Sequence, residues 1–453
     1  TFADNREIKN AVIARTEENP ARVETADFVV RGPQVLIDTA TQAVDVPGAG
    51  TLRFFAAQDL NGEPVDEPMP ITVKWDQRMA LRGHDNVAMF TGEVHSESET
   101  MTLDCKELRI DFKDLPKPPS QAVADAGVDK PDPRWIFGPM VDAMKQTGRD
   151  ESPMTRTADR LRKRPAYLHA IGEAVIESRS FEIKPEHAPS RVVQALTGWL
   201  PAPLQGGAEA KPKRLLSRLR IAGPKIGIDL IQEHVGVEGK GNLLIEDYRL
   251  PRGNASAQRS AEELLQSAQM GALASGGPGQ TLFTWQSSLL FLNNRQLARF
   301  DNQVTMRHAS GAKMVLSKRE AEAMNFDLTA LSKMRGREVS MSCDNLMVTF
   351  EPQEQTDQQG RSPLARSTRL RTLQAVGQIV RMQEGDRSAE GTRLTFDNDS
   401  SIVRLTGSAR VPARFMEWDE VSNKMRFSRN EVVEWNQKTG LVRAFGTSVL
   451  ATR

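Results

Sequence analysis

Histidine and carboxylate residues stand at alternate positions in the stretch HSESE, at His95, Glu97 and Glu99. Because side chains two residues apart lie on one face of a β-strand, this spacing could direct three metal ligands to the same side. A metal site also needs a second shell of residues that fixes its ligands. A solvated strand face is the favoured interpretation, and we predict no metal site.

The other histidines do not form a catalytic pattern. His84, His169, His187, His234 and His308 are scattered along the chain, and none has a partner at the spacing of an HExxH zinc motif or of a catalytic triad. We therefore predict that the chain is not an enzyme and that it uses no cofactor.

Short glycine-rich and acidic stretches favour structural turns over ligand sites. GVEGKG at 236–241 lacks the helix that follows a dinucleotide loop, and GGPGQT at 276–281 lacks the lysine of a phosphate loop. The turn FDNDSS contains Asp397 and Asp399, but a calcium loop needs a longer series of oxygen ligands. We predict plain turns at GVEGKG and FDNDSS, and no phosphate loop at GGPGQT.

The charge balance argues against nucleic-acid binding. Lys and Arg total 60 and Asp and Glu total 59, which gives a net charge of +1. Nucleic-acid binding needs a clustered cationic surface. The basic run RLRKRP at 160–165 could contact anionic head groups, although a solvated linker is the favoured interpretation.

A long internal repeat determines the architecture. Residues 30–54 and 221–245 align without a gap at a constant offset of 191, so that Gly48 coincides with Gly239. Such a match over a whole segment indicates that the two stretches have the same fold.

A second pair of segments extends the repeat. Residues 74–94 match residues 284–304, with Trp75 on Trp285, at an offset of 210. The change of offset indicates an insertion in the second copy, where the helix-like stretch 249–279 lies. Further copies of the last half-unit are the segments 396–411 and 435–450, with a degenerate one at 166–178.

The repeated unit has the pattern of β-strands. Ala88, Phe90 and Val94 share one parity, as do Val403, Leu405, Ala409 and Val411. Gly92 and Gly407 interrupt the two runs at the same place, which is typical of a bulge or bend. We therefore predict an elongated all-β protein.

The repeats and the stretches between them predict the domain organisation. Two stretches, 135–146 and 190–200, have the pattern of short helices. The predicted divisions are a first β domain at 1–113, a Pro-rich and basic insertion at 114–165, a second β domain at 166–350 with a helical insertion near 249–279, a polar loop at 351–366, and a third, partial repeat at 367–453.

The run VAMFTGEVHSESETMTLDCKELRIDF at 87–112 resembles the signature of the OstA-like family. This family comprises the lipopolysaccharide-transport domains of LptA, LptC and the amino end of LptD. SIVRLTGSARV at 401–411 and VSMSCDNLMVTF at 339–350 resemble the two halves of its unit. Cys105 and Cys343 occupy equivalent positions in that unit, which indicates repeat positions and not a disulfide.

The resemblance implies a V-shaped, partly open jellyroll, or β-taco, whose two sheets enclose an apolar slot for acyl chains. It also implies a periplasmic, lipid-binding or lipopolysaccharide-transfer element of outer membrane assembly. Exposed strand edges at the two ends could pair head to tail with another copy or with other envelope transport proteins. Because the sequence starts at Thr1 and contains no long apolar run, a processed chain is expected, and any membrane anchor would lie outside it.

The strand parity places a set of apolar side chains in the interior, where burial stabilises an acyl chain by about 0.8 kcal/mol per CH₂. The alternatives are a structural or adhesive β-solenoid with a closed core, and a carbohydrate-active β-helix, which would need paired carboxylates in a cleft. The predicted slot residues are Ala88, Phe90, Val94, Leu103, Leu108, Ile110, Phe300, Val304, Met341, Leu346, Val348, Val403, Leu405, Val411 and Leu450.

Overall fold

The chain folds almost entirely into β-strands over the residues that a computed structural model describes. The predicted helices, most of the two insertions and the predicted polar loop lie outside these residues. The described residues are 10–14, 20–24, 28–38, 40–58, 64–98, 101–114, 163–181, 215–232, 234–248, 278–292, 295–314, 336–350, 370–419, 423–446 and 449–452.

The described residues form 26 strands, all of whose pairings are antiparallel. A short 3-10 helix, Gly311–Lys313, follows one of them. No helix among the described residues has the length and apolar character that a bilayer crossing requires. The strands are β1 (Asn10–Ala14), β2 (Ala21–Glu24), β3 (Phe28–Gly32), β4 (Gln34–Asp38), β5 (Ala43–Pro47), β6 (Gly50–Gln58), β7 (Pro64–Trp75), β8 (Arg78–Arg82), β9 (Val87–Glu97), β10 (Met101–Asp114), β11 (Lys163–Phe181), β12 (Leu215–Asp229), β13 (His234–Glu238), β14 (Gly241–Asp247), β15 (Gly279–Trp285), β16 (Ser288–Leu292), β17 (Leu297–Ser310), β18 (Arg337–Phe350), β19 (Leu370–Glu384), β20 (Arg387–Asp397), β21 (Ile402–Thr406), β22 (Ala413–Asp419), β23 (Lys424–Asn430), β24 (Val432–Asn436), β25 (Val442–Phe445) and β26 (Val449–Thr452).

The strands form two hydrogen-bonded ladders, which we call sheet A and sheet B. Sheet A runs through β1, β4, β5, β8, one half of each of β9 to β12, then β13, β16, one half of each of β17 to β20, β21, β24 and β25. Sheet B runs through β2, β3, β6, β7, the other halves of the same long strands, and β14, β15, β22, β23 and β26. Since neighbouring strands lie about 4.8 Å apart, the stack is elongated, as the sequence predicts.

Each segment that passes from one sheet to the other bends at a corner. In β9 the corner is Gly92, with φ of +82°, and in β11 it is Gly172, with φ of +84°. At Gly407 strand β21 ends, and the Gly407 N–H donates a 2.8 Å hydrogen bond to the Glu431 carbonyl of the next corner. The bends that the sequence predicts at Gly92 and Gly407 are therefore confirmed as corners.

The corner between β5 and β6 recurs between β13 and β14. Gly48 and Gly239 both have positive φ, +82° and +86°, in a region that favours glycine. A Cβ at either position would lie 3.0 Å from a proline ring, Pro33 in the first copy and Pro224 in the second. Residues that the offset of 191 relates at this corner therefore have the same backbone conformation.

Two tryptophans complete the equivalent corners. The indole N–H of Trp75 donates a 3.0 Å hydrogen bond to the carbonyl oxygen of Gly48, and that of Trp285 donates one of the same length to Gly239. The second offset, 210, is thus confirmed as well.

The core lies between the two sheets. Trp75 of sheet B and Phe90 of sheet A have ring centroids 5.5 Å apart, and Phe415 of sheet B lies 5.8 Å from Trp435 of sheet A. These contacts join the inward faces, so the sheets pack directly on each other. One apolar cluster runs from Ala21 to Trp435.

Two details differ from the strand pattern that the sequence predicts. The alternation beyond Gly407 is wrong, because Ala409 is exposed and Val411 is a half-buried residue in a bend. In addition, Asp114 pairs with Lys163, so sheet A continues across the predicted insertion boundaries. The division into domains stays a prediction.

Candidate functional site

Most of the predicted slot residues lie in the core between the sheets. Ile110 is half-buried and packs against the core, Val411 lies outside a strand, and Leu450 is in β26 but its side chain is not among the described ones. Entry of an acyl chain among the others would require the sheets to separate, and their contact with lipid stays a prediction. The residues that are at most 4% exposed are Ala88, Phe90, Val94, Leu103, Leu108, Phe300, Val304, Met341, Leu346, Val348, Val403 and Leu405.

The two cysteines belong to the same core. Cys105 pairs with Val94 and Cys343 pairs with Val304, and a register shift follows each pair. Burial raises the pKa of both thiols to about 12. Both are therefore protonated near neutral pH and serve as small apolar side chains at equivalent repeat positions.

The candidate metal ligands lie on an outward strand face. His95 Nδ1 is 2.6 Å from Asp104 Oδ1, and His95 Nε2 is 3.7 Å from Glu97 Oε2. Glu99 lies outside the described residues. Across the part of the chain that the structure describes, no three His, Cys, Asp or Glu residues are grouped to hold a metal ion.

The FDNDSS segment forms a turn. Asp397 Oδ1 accepts hydrogen bonds from the backbone N–H of Ser400 at 3.0 Å and from its hydroxyl at 3.1 Å. Hydrogen bonds from Ser400 lower the pKa of Asp397 because they stabilise the carboxylate. The GVEGKG segment likewise forms the corner around Gly239.

The sheet ends opposite the corners form an edge that we call the mouth. In the first copy the inward residues near the mouth are apolar. Ile37 and Leu81 of sheet A are buried, and Ile71 of sheet B packs against the core. The inward side chains at these three positions therefore carry no charge.

Around the third repeat and the neighbouring end of β18, the inward residues near the mouth are polar. Arg337 forms an ion pair with Glu384, and Arg387 Nη2 lies 2.7 Å from Glu417 Oε1. Gln437, in the turn after β24 of sheet A, donates a 3.5 Å hydrogen bond to Glu384 of sheet B. The two sheets are therefore connected across the mouth by side chains.

A cavity of about 690 Å³ lies at this polar part of the mouth. The ends of β18, β19 and β20 form one side, and the turn after β24 forms the other. The sequence analysis missed these residues. The sequence feature that could have revealed them is a charged or amide residue at a position that the strand alternation directs inward, as at Arg337, Glu384 and Gln437. The residues that line the cavity include Lys313, Arg337, Glu338, Glu384, Asp386, Arg387, Trp435, Gln437 and Lys438.

Comparisons with known proteins give little support to the resemblance that the sequence suggests. No protein-family model and no curated protein matches this chain. A solved structure that is similar in part is that of LptH from Pseudomonas aeruginosa, described as the LptA homologous periplasmic component of the lipopolysaccharide transport device. The match has 7% identity and a TM-score of 0.21, and covers 36% of this chain and 85% of that one. This TM-score is too low to support an argument about fold or function.

Proposed function

We propose that the chain is a non-catalytic lipid-binding element of the bacterial envelope that holds acyl chains between its two β-sheets. The observation that carries this proposal is the continuous apolar interior, which passes through all the repeats between sheets A and B. An interior of this kind gives each buried CH₂ of an acyl chain about 0.8 kcal/mol of stabilisation. We further propose lipopolysaccharide as the cargo and the periplasm as the location, on the sequence resemblance alone.

The ends of the stack support a role in a chain of such proteins. Within the described residues, β1 and β2 have a hydrogen-bonded neighbour on one side only, and so do β25 and β26. Val12 in β1 is 62% exposed and Phe445 in β25 is 47% exposed. Unpaired edges with exposed apolar residues can be extended by strands of another protein. We propose such end-to-end pairing with another copy or with an envelope transport protein.

The low exposure of the interior side chains favours one alternative function, that of a structural β-solenoid. Phe90 and Phe300 are 0% exposed and Leu405 is 1% exposed, so the sheets are in contact where lipid would lie. A structural β-solenoid with a closed core and no cargo needs no opening. Lipid transfer, in contrast, requires the sheets to separate by the width of an acyl chain.

Photo-cross-linking in bacterial cells that export the chain distinguishes the two functions. A photoreactive residue is placed at Phe90, Phe300 or Leu405, and lipid adducts are sought by mass spectrometry. The matched controls are Arg299 and Arg404, which immediately precede two of these positions and face outward.

Adducts at the inward positions and not at the outward ones would support lipid binding. Equal adducts at both would indicate contact with the membrane surface. A folded, exported chain without inward adducts would contradict lipid binding and favour the closed solenoid.

A further inference from the structure

We propose that the polar cavity at the mouth of the third repeat binds a compact, uncharged, hydroxyl-rich ligand, that is, a sugar. The cavity measures about 690 Å³, which falls within the range of about 300–1,000 Å³ for small-molecule sites. It borders the apolar interior at Trp435, but the proposal does not depend on lipid binding in that interior.

Two buried groups in the lining lack hydrogen-bond partners. Trp435 is 3% exposed and Gln437 is 7% exposed, and both line the cavity. Within the described part of the chain, Trp435 Nε1 and Gln437 Oε1 have no partner. A buried polar atom left without a partner destabilises the folded chain. Trp435 in β24 and Gln437 in the turn that follows it thus provide a donor and an acceptor two residues apart, which indicates that something else completes their bonding.

The charged side chains around these two groups are fixed in place. Arg387 Nε donates a 2.8 Å hydrogen bond to Glu417, and its guanidinium carbon lies 5.6 Å from the centre of the Trp435 ring. Arg337 is held by Glu384, which also accepts from Gln437. Fixed donors and acceptors reduce the entropy lost when a polar ligand binds.

The balance of charge indicates the class of ligand. Lys313, Arg337, Arg387 and Lys438 line the cavity together with Glu338, Glu384 and Asp386. Both arginines already pair with glutamates, and the remaining cations, Lys313 and Lys438, share the lining with Glu338 and Asp386, so a phosphate would approach carboxylates as well as ammonium groups. A hydroxyl group both donates and accepts, and several on one ring could bond to Trp435, Gln437 and the carboxylates together. A sugar therefore fits better than an anion.

The test measures binding by isothermal titration calorimetry. The probes are the methyl glycosides of glucose, galactose, mannose and N-acetylglucosamine, the octyl glycosides of the same sugars below their micelle concentrations, and dodecyl phosphate. The first variant is Trp435→Phe, which keeps an aromatic ring but removes the indole N–H. The second is Gln437→Leu, which replaces the amide with an apolar side chain of similar size. The matched control is Gln374→Leu, which changes a glutamine on the outer face of sheet A.

We expect at least one glycoside to bind and both cavity variants to weaken its affinity about tenfold, the effect of one lost hydrogen bond of about 1.4 kcal/mol. Gln374→Leu should leave the affinity unchanged, and circular dichroism should show all variants folded. Binding of methyl glycosides would identify a free sugar as the source, whereas binding of octyl glycosides alone would identify a lipid head group.

Three results would overturn the proposal. The first is that no glycoside binds the folded chain. The second is that glycosides bind equally well to the wild type and to both cavity variants. The third is that dodecyl phosphate alone binds with the expected dependence on the variants, which would make the cavity an anion site.

Discussion

The corners and the mouth of this β-stack have changed to different extents between the repeats. At the corners, the first and second copies place a glycine, a proline and a tryptophan in the same geometry, with the indole hydrogen bond 3.0 Å long in both. At the mouth, the first copy presents Ile37 and Leu81 on sheet A and Ile71 on sheet B, whereas the third repeat has paired arginines and glutamates on sheet B. The corners thus maintain the fold, and the mouth is where the repeats acquire different chemistry.

Alanine at the corner glycines should give the largest effect and tests whether the two copies are equivalent. A Cβ at Gly50 would lie 2.7 Å from the carbonyl oxygen of Arg31, and one at Gly241 would lie 2.5 Å from that of Ala222. Gly50→Ala and Gly241→Ala should each lower the free energy of unfolding by about 3 kcal/mol, as measured by urea denaturation.

Gly236→Ala is the control for these two variants. A Cβ at Gly236, in the neighbouring strand β13, would meet no atom within 4 Å. Its stability should therefore change by less than about 0.5 kcal/mol or rise slightly. A large loss at only one of the two corners would contradict their equivalence.

Replacing tryptophan with phenylalanine should give a smaller effect, which differs between corner and mouth. Trp285→Phe removes the hydrogen bond to the Gly239 carbonyl, whereas Trp435 Nε1 has no partner within the described chain. The free energy of unfolding should fall by about 1 kcal/mol more for Trp285→Phe than for Trp435→Phe. Equal losses in the chemical denaturation of both variants would indicate that the mouth tryptophan also makes a structural hydrogen bond.

The smallest effect is expected at the Asp397 turn, and it concerns pH. Because the pKa of Asp397 is lowered in the folded chain, the group stabilises the fold above its ordinary pKa of 3.8, and this contribution is lost as the pH falls through the folded value. Asp397→Asn should unfold much like the wild type at pH 7 but should lose less stability between pH 5 and pH 3.

The turn after β24 provides the precedent for this substitution. There Asn436 Oδ1 accepts from the backbone N–H groups of Lys438 and Thr439 at 2.9 and 3.0 Å. An asparagine therefore can hold such a turn without a charge. Urea denaturation of Asp397→Asn at several pH values is the measurement, and an unchanged pH dependence would contradict the role assigned to Asp397.

The features that the sequence predicts well are those that repeat. The offsets of 191 and 210 placed Gly48 on Gly239 and Trp75 on Trp285, and the structure confirms both pairs. Strand alternation correctly placed Phe90, Phe300 and Leu405 in the interior, because a strand with one buried face has a fixed period of two.

The features that the sequence predicts poorly depend on contacts between distant strands. Val411 had the correct parity but follows the end of β21, so counting by two no longer applied. The polar cavity brings Arg337, Arg387 and Gln437 together from β18, from β20 and from the turn after β24. No local spacing relates these residues, since sheet pairing alone determines which strand ends meet.

The corners also determine where the chain tolerates extra length. Strand-to-strand connections at the corners take only one to a few residues, whereas β10 and β11, β14 and β15, and β18 and β19 are joined at the mouth by much longer segments. A corner cannot lengthen without shifting the ladder register, but a mouth connection can. New modules can therefore be grafted at the mouth in evolution or in the laboratory, and affinity tags or fluorescent domains should be placed there.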